Sequence, residues 1–205
     1  MKGKIYQLLI ELTNGRWSSS LLRRFAQSKV SRRIIPSFAK YYKINLDEME
    51  RPIDEYASLH DFFTRALVQG ARETNQDIAT VISPVDAVLE DSGHIHVDST
   101  FQVKGKVYSV KEMLGNHQVA EKYLGGRYMV LYLSPSHYHR IHSPVEGTVT
   151  RKSTLGKKSY PVNKWGMTLG KHPLSKNYRE ITEIQHTGGV LSVIKVGAMF
   201  VNSIE

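Results

Sequence analysis

Apolar residues in the first third of the chain recur at helical spacing. Three segments with this pattern are predicted to be helices: one with Ile5, Leu8, Leu9 and Leu12 on a single face, one with Leu21, Leu22 and Phe25, and one over residues 36–42. Asn14-Gly15 predicts a break, and Ser18–Ser20 offer an N-cap for the second helix. Ser58-Leu-His-Asp61 matches a capping box, which predicts another short helix. Residues 1–68 are therefore predicted to be helical.

From Val81 onward the pattern changes to short β-prone runs separated by Gly, Pro, Asn and Asp. The predicted strands are Val81-Ile82, Ala87–Leu89, Ile95–Val97, Phe101–Val103, Tyr128–Leu133, Thr148–Thr150 and Val190–Val196. A second capping box, Ser109–Glu112, predicts one helix among them. The predicted fold class is α+β, with a basic helical region at residues 1–68 followed by an antiparallel β-rich domain at residues 69–205.

Composition narrows the possible chemistry. The chain has 205 residues, of which 40% are hydrophobic, so it can bury a substantial core. It contains no cysteine, which excludes disulfides, thiolate metal sites and a cysteine nucleophile. No apolar run approaches the roughly 18 residues that cross a bilayer.

The net charge of +9 is unevenly distributed. Ten basic residues precede Asp47, against the single acid Glu11. This asymmetry predicts a polyanionic partner, either nucleic acid or an anionic membrane surface. Basic residues interleaved with Leu, Ile and aromatic residues are typical of interfacial helices, although ordinary helices with a solvated basic face would show the same pattern.

Three histidines follow directly after the predicted strand that ends at Leu133. His137, His139 and His142 come after a Ser-Pro turn, where a scaffold commonly displays catalytic groups. A metal site with Glu146 is one interpretation, but His142 would point away from the other two histidines on an extended chain. Phosphate or nucleic-acid binding is a second interpretation, for which the candidate residues are His139, Arg140, Lys157 and Lys158.

Acid–base or triad chemistry is the third interpretation, and it needs a carboxylate that orients one imidazole. The best candidate is Asp86 in Ser83-Pro-Val-Asp86, an element that recurs as Ser143-Pro-Val-Glu146 after His142. A turn aspartate that bonds its own backbone would also fit this position. Spacing alone leaves the three interpretations open.

Five motifs occur in order along the chain. They are Phe62-Phe-Thr-Arg65, Ser83-Pro-Val-Asp86, Val103-Lys-Gly-Lys-Val-Tyr108, Tyr132-Leu-Ser-Pro-Ser-His-Tyr-His-Arg-Ile-His-Ser-Pro144 and Val196-Gly-Ala-Met-Phe-Val-Asn-Ser-Ile204. Together they closely resemble the phosphatidylserine decarboxylase proenzymes, particularly the shorter bacterial type. The resemblance extends over essentially the whole chain, and Tyr-His-Arg-x-His-Ser-Pro is its most specific element.

The resemblance implies an enzyme that cuts itself at a Gly-Ser bond in an LGST-like motif and converts the new terminal serine into a pyruvoyl cofactor. Asp86 and His142 match the family's charge relay for self-cleavage, and His139 matches the histidine associated with the decarboxylation step. The expected reaction converts phosphatidylserine to phosphatidylethanolamine and carbon dioxide. No metal is expected. The expected partners are the lipid substrate, an anionic membrane surface and the family's small pyruvoyl subunit, with no nucleic acid.

The chain departs from the family pattern in two respects. Ala87 stands where the family usually has glycine after the aspartate, and residues 1–205 contain no LGST-like motif. We therefore expect a C-terminally truncated chain that lacks the pyruvoyl-forming serine and is inactive by itself. The expected location is the cytoplasmic face of the cell membrane, as a peripheral protein. The alternative function is a non-catalytic basic protein that binds a membrane surface or nucleic acid.

Overall fold

A computed structural model describes residues 16–162, 164–170, 172–198 and 204. The helices are α1 (Arg16–Gln27), α2 (Ile35–Tyr42), α3 (Leu59–Phe63), α4 (Val110–Leu114), α5 (His117–Glu121), α6 (Lys164–Leu169) and α7 (Pro173–Lys176), with 3₁₀ turns at Lys29–Ile34 and Ile53–Glu55. The strands are β1 (Val88–His94), β2 (Thr100–Val103), β3 (Lys106–Ser109), β4 (Arg127–Tyr132), β5 (Thr148–Leu155), β6 (Arg179–His186) and β7 (Gly189–Val196). No helix in these residues is long and apolar enough to cross a membrane.

The strands form three small sheets. β1 pairs with β4, β2 pairs with β3, and β5, β6 and β7 form a three-stranded antiparallel sheet with β6 in the centre. The β2–β3 hairpin turns at Lys104-Gly105, where both residues have positive φ (48° and 80°), as a two-residue type I′ turn requires. Helices together with antiparallel sheets confirm the predicted α+β class.

The chain divides into two compact units. We call the one built from residues 23–89 and 131–146 the helical unit, and the one built from the described parts of 1–22, 90–130 and 147–205 the sheet unit. The division predicted at residue 68, into a helical region and a β-rich domain, stays a prediction.

The core of the helical unit is built from α2, α3 and the segment between them. Its buried members are Ile35, Ala39, Ile44, Met49, Tyr56 and Phe62. Pro36 occupies the first turn of α2, where its missing N–H costs no hydrogen bond. Ser58 caps α3 as predicted, because its hydroxyl accepts from the Asp61 N–H at 3.2 Å.

The core of the sheet unit joins the β2–β3 hairpin to α4 and α6. Its buried members are Phe101, Val103, Tyr108, Met113 and Met167. The capping box predicted at the start of α4 is confirmed: the Ser109 hydroxyl accepts from the Glu112 N–H at 3.0 Å, and the Glu112 carboxylate accepts from the Ser109 N–H at 3.4 Å.

Several predicted elements differ from the structure. Residues 18–20 lie inside α1, which begins at Arg16, so they are not its N-cap. Val81-Ile82 is not a strand, because the Ile82 N–H bonds the Pro144 carbonyl in a contact between two turns. Ile95–Val97 is irregular and ends in a turn. The helix and break predicted in residues 1–15 lie outside the described residues.

Two strands, β3 and β6, were not predicted. β6 contains only two apolar residues, Ile181 and Ile184, spaced three apart rather than two. Its burial comes from its central place between β5 and β7, which lets polar side chains be buried beside their partners. A search for apolar alternation misses such a strand.

Candidate active site

The three histidines lie in the helical unit, in the loop that follows β4. The His137 N–H bonds the Ser134 carbonyl at 3.0 Å, and the Ser134 N–H donates to His137 Nδ1 at 3.1 Å. The hydroxyls of Ser134 and Ser136 are 2.6 Å apart. These bonds close a tight turn, and His137 uses one ring nitrogen to hold it. The turn places Tyr138 and His139 at its exit.

His139 is held as an uncharged ring in a partly buried setting. Its Nδ1 lies 2.8 Å from the His137 carbonyl oxygen, and its ring centroid is 3.9 Å from that of Phe63. Burial lowers the pKa of His139 to about 4, and the positive charge of Arg65 acts in the same direction, against the opposing effect of the hydrogen bond to His137. A carbonyl oxygen only accepts, so Nδ1 carries the hydrogen and Nε2 keeps a lone pair.

The motif of residues 62–65 holds this loop. Arg65 donates from Nη2 to the carbonyl oxygens of Ser136 at 3.1 Å and His137 at 3.2 Å. In return, Arg140 donates from Nε to the Thr64 carbonyl at 2.8 Å. Arg65 is only 2% exposed, and burial lowers its pKa. The loop therefore hydrogen-bonds to a segment about 70 residues away in sequence.

Asp86 is ionised and bound by an arginine. Arg72 donates to both of its carboxylate oxygens, from Nε at 2.8 Å and from Nη2 at 2.6 Å, and also reaches Glu48 at 3.0 Å. Hydrogen bonds from Arg72 lower the pKa of Asp86, and the backbone N–H of Tyr138 contributes to the same shift. The arrangement is a bidentate ion pair, which fixes the carboxylate in orientation as well as in charge.

His142 lies on a turn that is hydrogen-bonded to the turn carrying Asp86. The His142 N–H bonds the Pro84 carbonyl at 2.9 Å, and the Ile82 N–H bonds the Pro144 carbonyl at 3.0 Å. Each of the two Ser-Pro-Val turns also has the same internal hydrogen bond, in which the serine hydroxyl donates to the carbonyl two residues on at 2.7 Å. The repeated motif thus forms a matched pair of turns.

Tyr138 contacts both members of the predicted relay. Its hydroxyl lies 3.0 Å from His142 Nε2, its ring stacks on the imidazole at 5.6 Å, and its backbone N–H helps to lower the pKa of Asp86. Between Asp86 and His142 themselves the described residues make no hydrogen bond, since Arg72 binds the carboxylate and Tyr138 binds the imidazole. The structure therefore brings the two residues onto adjacent turns without pairing them directly.

The three histidines do not converge as metal ligands. No group of three or more His, Cys, Asp or Glu side chains in the described part of the chain is arranged to hold a metal ion. His137 uses Nδ1 within its own turn, and His139 uses Nδ1 on a carbonyl. Of the residues considered for phosphate binding, His139 and Arg140 lie in the helical unit, whereas Lys157 and Lys158 belong to the sheet unit.

Comparison with known proteins identifies the family. The sequence profile of the family described as phosphatidylserine decarboxylase matches residues 59–205, a range that includes Asp86 and all three histidines. The chain belongs to the phosphatidylserine decarboxylase family. The resemblance inferred from the five motifs is thereby confirmed.

Relatives from three Bacillus species extend the match to the whole chain. The phosphatidylserine decarboxylase proenzymes of Bacillus cereus (strain ATCC 10987 / NRS 248) and Bacillus thuringiensis (strain Al Hakam) are each 57% identical to it, and that of Bacillus mycoides (strain KBAB4) is 56% identical. Each alignment covers all 205 residues of this chain and 78% of the relative's length. Over its whole length, the chain is therefore similar to members of this decarboxylase family that are named as proenzymes.

The sequence indicated Asp86, His139 and His142, but not three residues that hold or surround them: Arg65, Arg72 and Tyr138. Arg65 was part of a motif without an assigned role, and Tyr138 was visible between two histidines as an aromatic residue with a hydroxyl. Arg72 had no signal, because it lies in a polar stretch with no motif of its own. The last motif cannot be compared, because residues 199–203 lie outside the described residues.

Proposed function

We propose that this protein acts in the conversion of phosphatidylserine to phosphatidylethanolamine and carbon dioxide, after serine-type self-cleavage and with a pyruvoyl cofactor. The observation that carries the proposal is His139, an imidazole held uncharged by burial and tied at Nδ1 to a backbone carbonyl. A base of this kind remains neutral at physiological pH and can accept a proton at Nε2. The family assignment supplies the reaction class.

The residues fit the proposed cofactor. A pyruvoyl group supplies an electron-withdrawing ketone that binds the substrate amine and makes loss of carbon dioxide feasible. His139 has a free lone pair at Nε2 and an apolar wall in Phe63, so its environment suits a reacting centre shielded from water. We infer that His139 takes a proton from the substrate ammonium at Nε2 and later returns it to the carbon that has lost carbon dioxide.

We assign the self-cleavage step to His142 and Asp86. His142 would accept the proton of the attacking serine hydroxyl, and Asp86 would orient the imidazole and stabilise its charged form. Support comes from the adjacent turns and from the ionised state of Asp86. For Asp86 and His142 to pair directly, Asp86 must break its hydrogen bonds to Arg72, and His142 must break its hydrogen bond to the Tyr138 hydroxyl. The serine itself would come from outside residues 1–205.

The test is a fusion of residues 1–205 with the part of the Bacillus cereus relative that lies beyond the matched region. We expect the fusion to cut itself, to carry a pyruvoyl terminus by mass spectrometry and to release carbon dioxide from phosphatidylserine in mixed micelles. Residues 1–205 alone, and the fusion with the motif's serine changed to alanine, serve as controls and should do neither. A fusion that is cleaved but does not decarboxylate phosphatidylserine would contradict the assigned substrate.

We further propose that the helical unit binds the anionic surface of the membrane that holds the lipid, on its cytoplasmic face. Exposed basic side chains lie on α1 (Arg23 and Arg24), on the following 3₁₀ turn (Lys29, Arg32 and Arg33) and on α2 (Lys40). Exposed apolar side chains accompany them: Phe25, Val30, Ile34 and Tyr41 are 44%, 63%, 38% and 78% exposed. This mixture suits an interfacial surface, where apolar groups enter the headgroup region and cations meet anionic lipid.

Vesicle binding tests this surface. Changing Arg23, Arg24, Arg32 and Arg33 to Gln should weaken binding to phosphatidylserine-containing vesicles at least tenfold at low salt, since each cation contributes about 1 kcal/mol near such a surface. The difference should shrink in physiological salt, where screening acts over about 8 Å. The matched control changes four exposed cations of the sheet unit, Arg127, Arg151, Lys157 and Lys176, to Gln. Equal binding by both variants, or a selective loss of RNA binding, would contradict the proposal.

A further inference from the structure

Arg65 is buried more completely than its hydrogen bonds justify. It is 2% exposed, and its Nε and Nη1 atoms have no hydrogen-bond partner among the described residues. Its side-chain hydrogen bonds there are the two from Nη2 to the carbonyls of the histidine loop, and its guanidinium lies 5.5 Å from the Phe62 ring centroid. Burying a charge with so few partners is costly. Packing alone would be served better by an apolar side chain, so the charge needs another explanation.

The two loop contacts lead directly to His139. Arg65 Nη2 and His139 Nδ1 both lie within hydrogen-bond distance of one atom, the carbonyl oxygen of His137, at 3.2 Å and 2.8 Å. A carbonyl oxygen has two lone pairs and can accept from both groups at once. Arg65 therefore fixes the position of the acceptor that determines which nitrogen of His139 carries the hydrogen.

We propose that Arg65 is a positioning residue that acts through the His137 carbonyl to hold His139 as the neutral Nδ1–H tautomer, with the Nε2 lone pair available to the substrate. The functional meaning of this arrangement rests on the decarboxylase function proposed above. Its structural content, the tautomer and charge of His139, does not depend on that function.

Charge supports the same role. Besides burial, the Coulombic effects of Arg65 and of the His137 ring disfavour a positive charge on the His139 ring, whereas the hydrogen bond to the His137 carbonyl favours one. Arg65 in turn faces two carboxylates, Asp86 and Glu48, which are already paired with Arg72. Its positive charge is therefore not neutralised by a dedicated partner. A cation left in this state beside an imidazole lowers the pKa of the imidazole, so the ring is neutral, with Nε2 open, before the substrate binds.

The wild-type protein supplies the first test. Long-range proton–nitrogen NMR spectra of ¹⁵N-histidine-labelled protein distinguish the two tautomers, and His139→Gln assigns the signals. We expect the Nδ1–H form at pH 7 and no protonation of His139 down to about pH 5. An Nε2–H tautomer, or titration near the ordinary value of about 6.5, would overturn the proposal without any change to Arg65.

Variants of Arg65 supply the second test. In Arg65→Met the pKa of His139 should rise by up to about 1 unit, because the nearby positive charge is gone while burial, the larger cause of the shift, remains. Arg65→Lys keeps the charge and should stay closer to wild type. The matched control is Arg51→Met, which removes another arginine beside an aromatic ring, that of Tyr56, with no contact to the histidine loop. An unchanged pKa in folded Arg65→Met would contradict the role, and if that variant does not fold, Arg65→Lys and the wild-type tautomer decide.

An activity measurement then connects the tautomer to turnover. In the fusion described above, Arg65→Met should lower kcat by roughly tenfold to a hundredfold with little change in KM, and the acid limb of the pH profile should move to higher pH. A fusion without decarboxylase activity would count against the proposed function, whereas the NMR result would still stand for Arg65. If the pKa of His139 shifts in Arg65→Met but the pH profile of kcat matches that of the wild-type fusion, Arg65 does not act on turnover through His139.

Discussion

The three-stranded sheet and the histidine loop both bury polar side chains, but they satisfy them differently. In the sheet, the Glu180 side chain is 5% exposed and forms ion pairs with Lys195 and with Lys152 at 3.0 Å. Glu183 accepts from Lys122 at 3.2 Å and Tyr123 at 3.0 Å. Burial by itself would raise the pKa of both carboxyls, but these bonds lower each below its usual range.

The histidine loop leaves polar atoms unpaired. Arg65 has two nitrogens without a hydrogen-bond partner, and His139 has a free Nε2 in the described structure. Burial keeps His139 neutral without a counter-charge. Buried carboxylates neutralised by ion pairs contribute to stability, whereas reactive groups need free lone pairs and shifted pKa values. The contrast therefore separates a structural polar network from a candidate catalytic one.

The largest expected effect concerns self-cleavage. In the fusion, His142→Ala and Asp86→Ala should each slow cleavage by about a thousandfold or more, because the serine loses its base or the base loses its orientation. Gel analysis of cleavage over time measures this. His117→Ala is the control, since that histidine is exposed and pairs with Glu121 in the sheet unit. Unimpaired cleavage by His142→Ala would remove the assignment.

His139→Ala should separate processing from turnover. The variant fusion should cut itself at the normal rate and lose roughly 10²- to 10⁴-fold in decarboxylation, the usual contribution of a positioned acid or base. Carbon dioxide release per cleaved molecule is the measurement. If Glu180→Gln in the sheet lowered turnover as strongly, the contrast between the two regions would be wrong.

The neutral state of His139 predicts a pH dependence of stability. The ring titrates at about 4 in the folded protein and near 6.5 when unfolded, so the unfolded chain binds the proton first as pH falls. Its contribution is therefore complete above pH 6.5 and lost between 6.5 and 4, by about 3 kcal/mol. In urea unfolding across this range, wild type should lose stability relative to His139→Gln as pH falls, and a constant difference between the two proteins would contradict the shift.

The smallest effect is expected in the sheet. Glu180→Gln should lower the free energy of unfolding by about 1–2 kcal/mol at pH 7, because two lysines lose their charged partner. The lowered pKa of Glu180 gives stability that is present above the ordinary carboxyl pKa and lost as pH falls through the folded value, so the difference should vanish in acid. Glu121→Gln, an exposed pair with His117, should change stability by less than about 0.5 kcal/mol. A pH-independent effect would mean that packing, not charge, explains the loss.

Local sequence signals determined several features by themselves. Ser58 and Ser109 cap the starts of helices as predicted, and at Ser109 the full capping box forms, because a hydroxyl acceptor and free N–H groups lie within three residues of each other. The five motifs between Phe62 and Ile204 were sufficient to recognise the family. The repeated Ser-Pro-Val pattern also corresponds to two turns with the same internal hydrogen bond.

Only the tertiary structure decided how those motifs meet. Arg65 reaches the histidine loop from about 70 residues away, Arg72 takes the carboxylate of Asp86, and Tyr138 contacts both Asp86 and His142. Strand β6 is likewise defined by its neighbours rather than by its own apolar residues. The physical reason is range: caps and turns form within a few residues, whereas ionic partners, burial and pKa values depend on groups brought together by the folded chain.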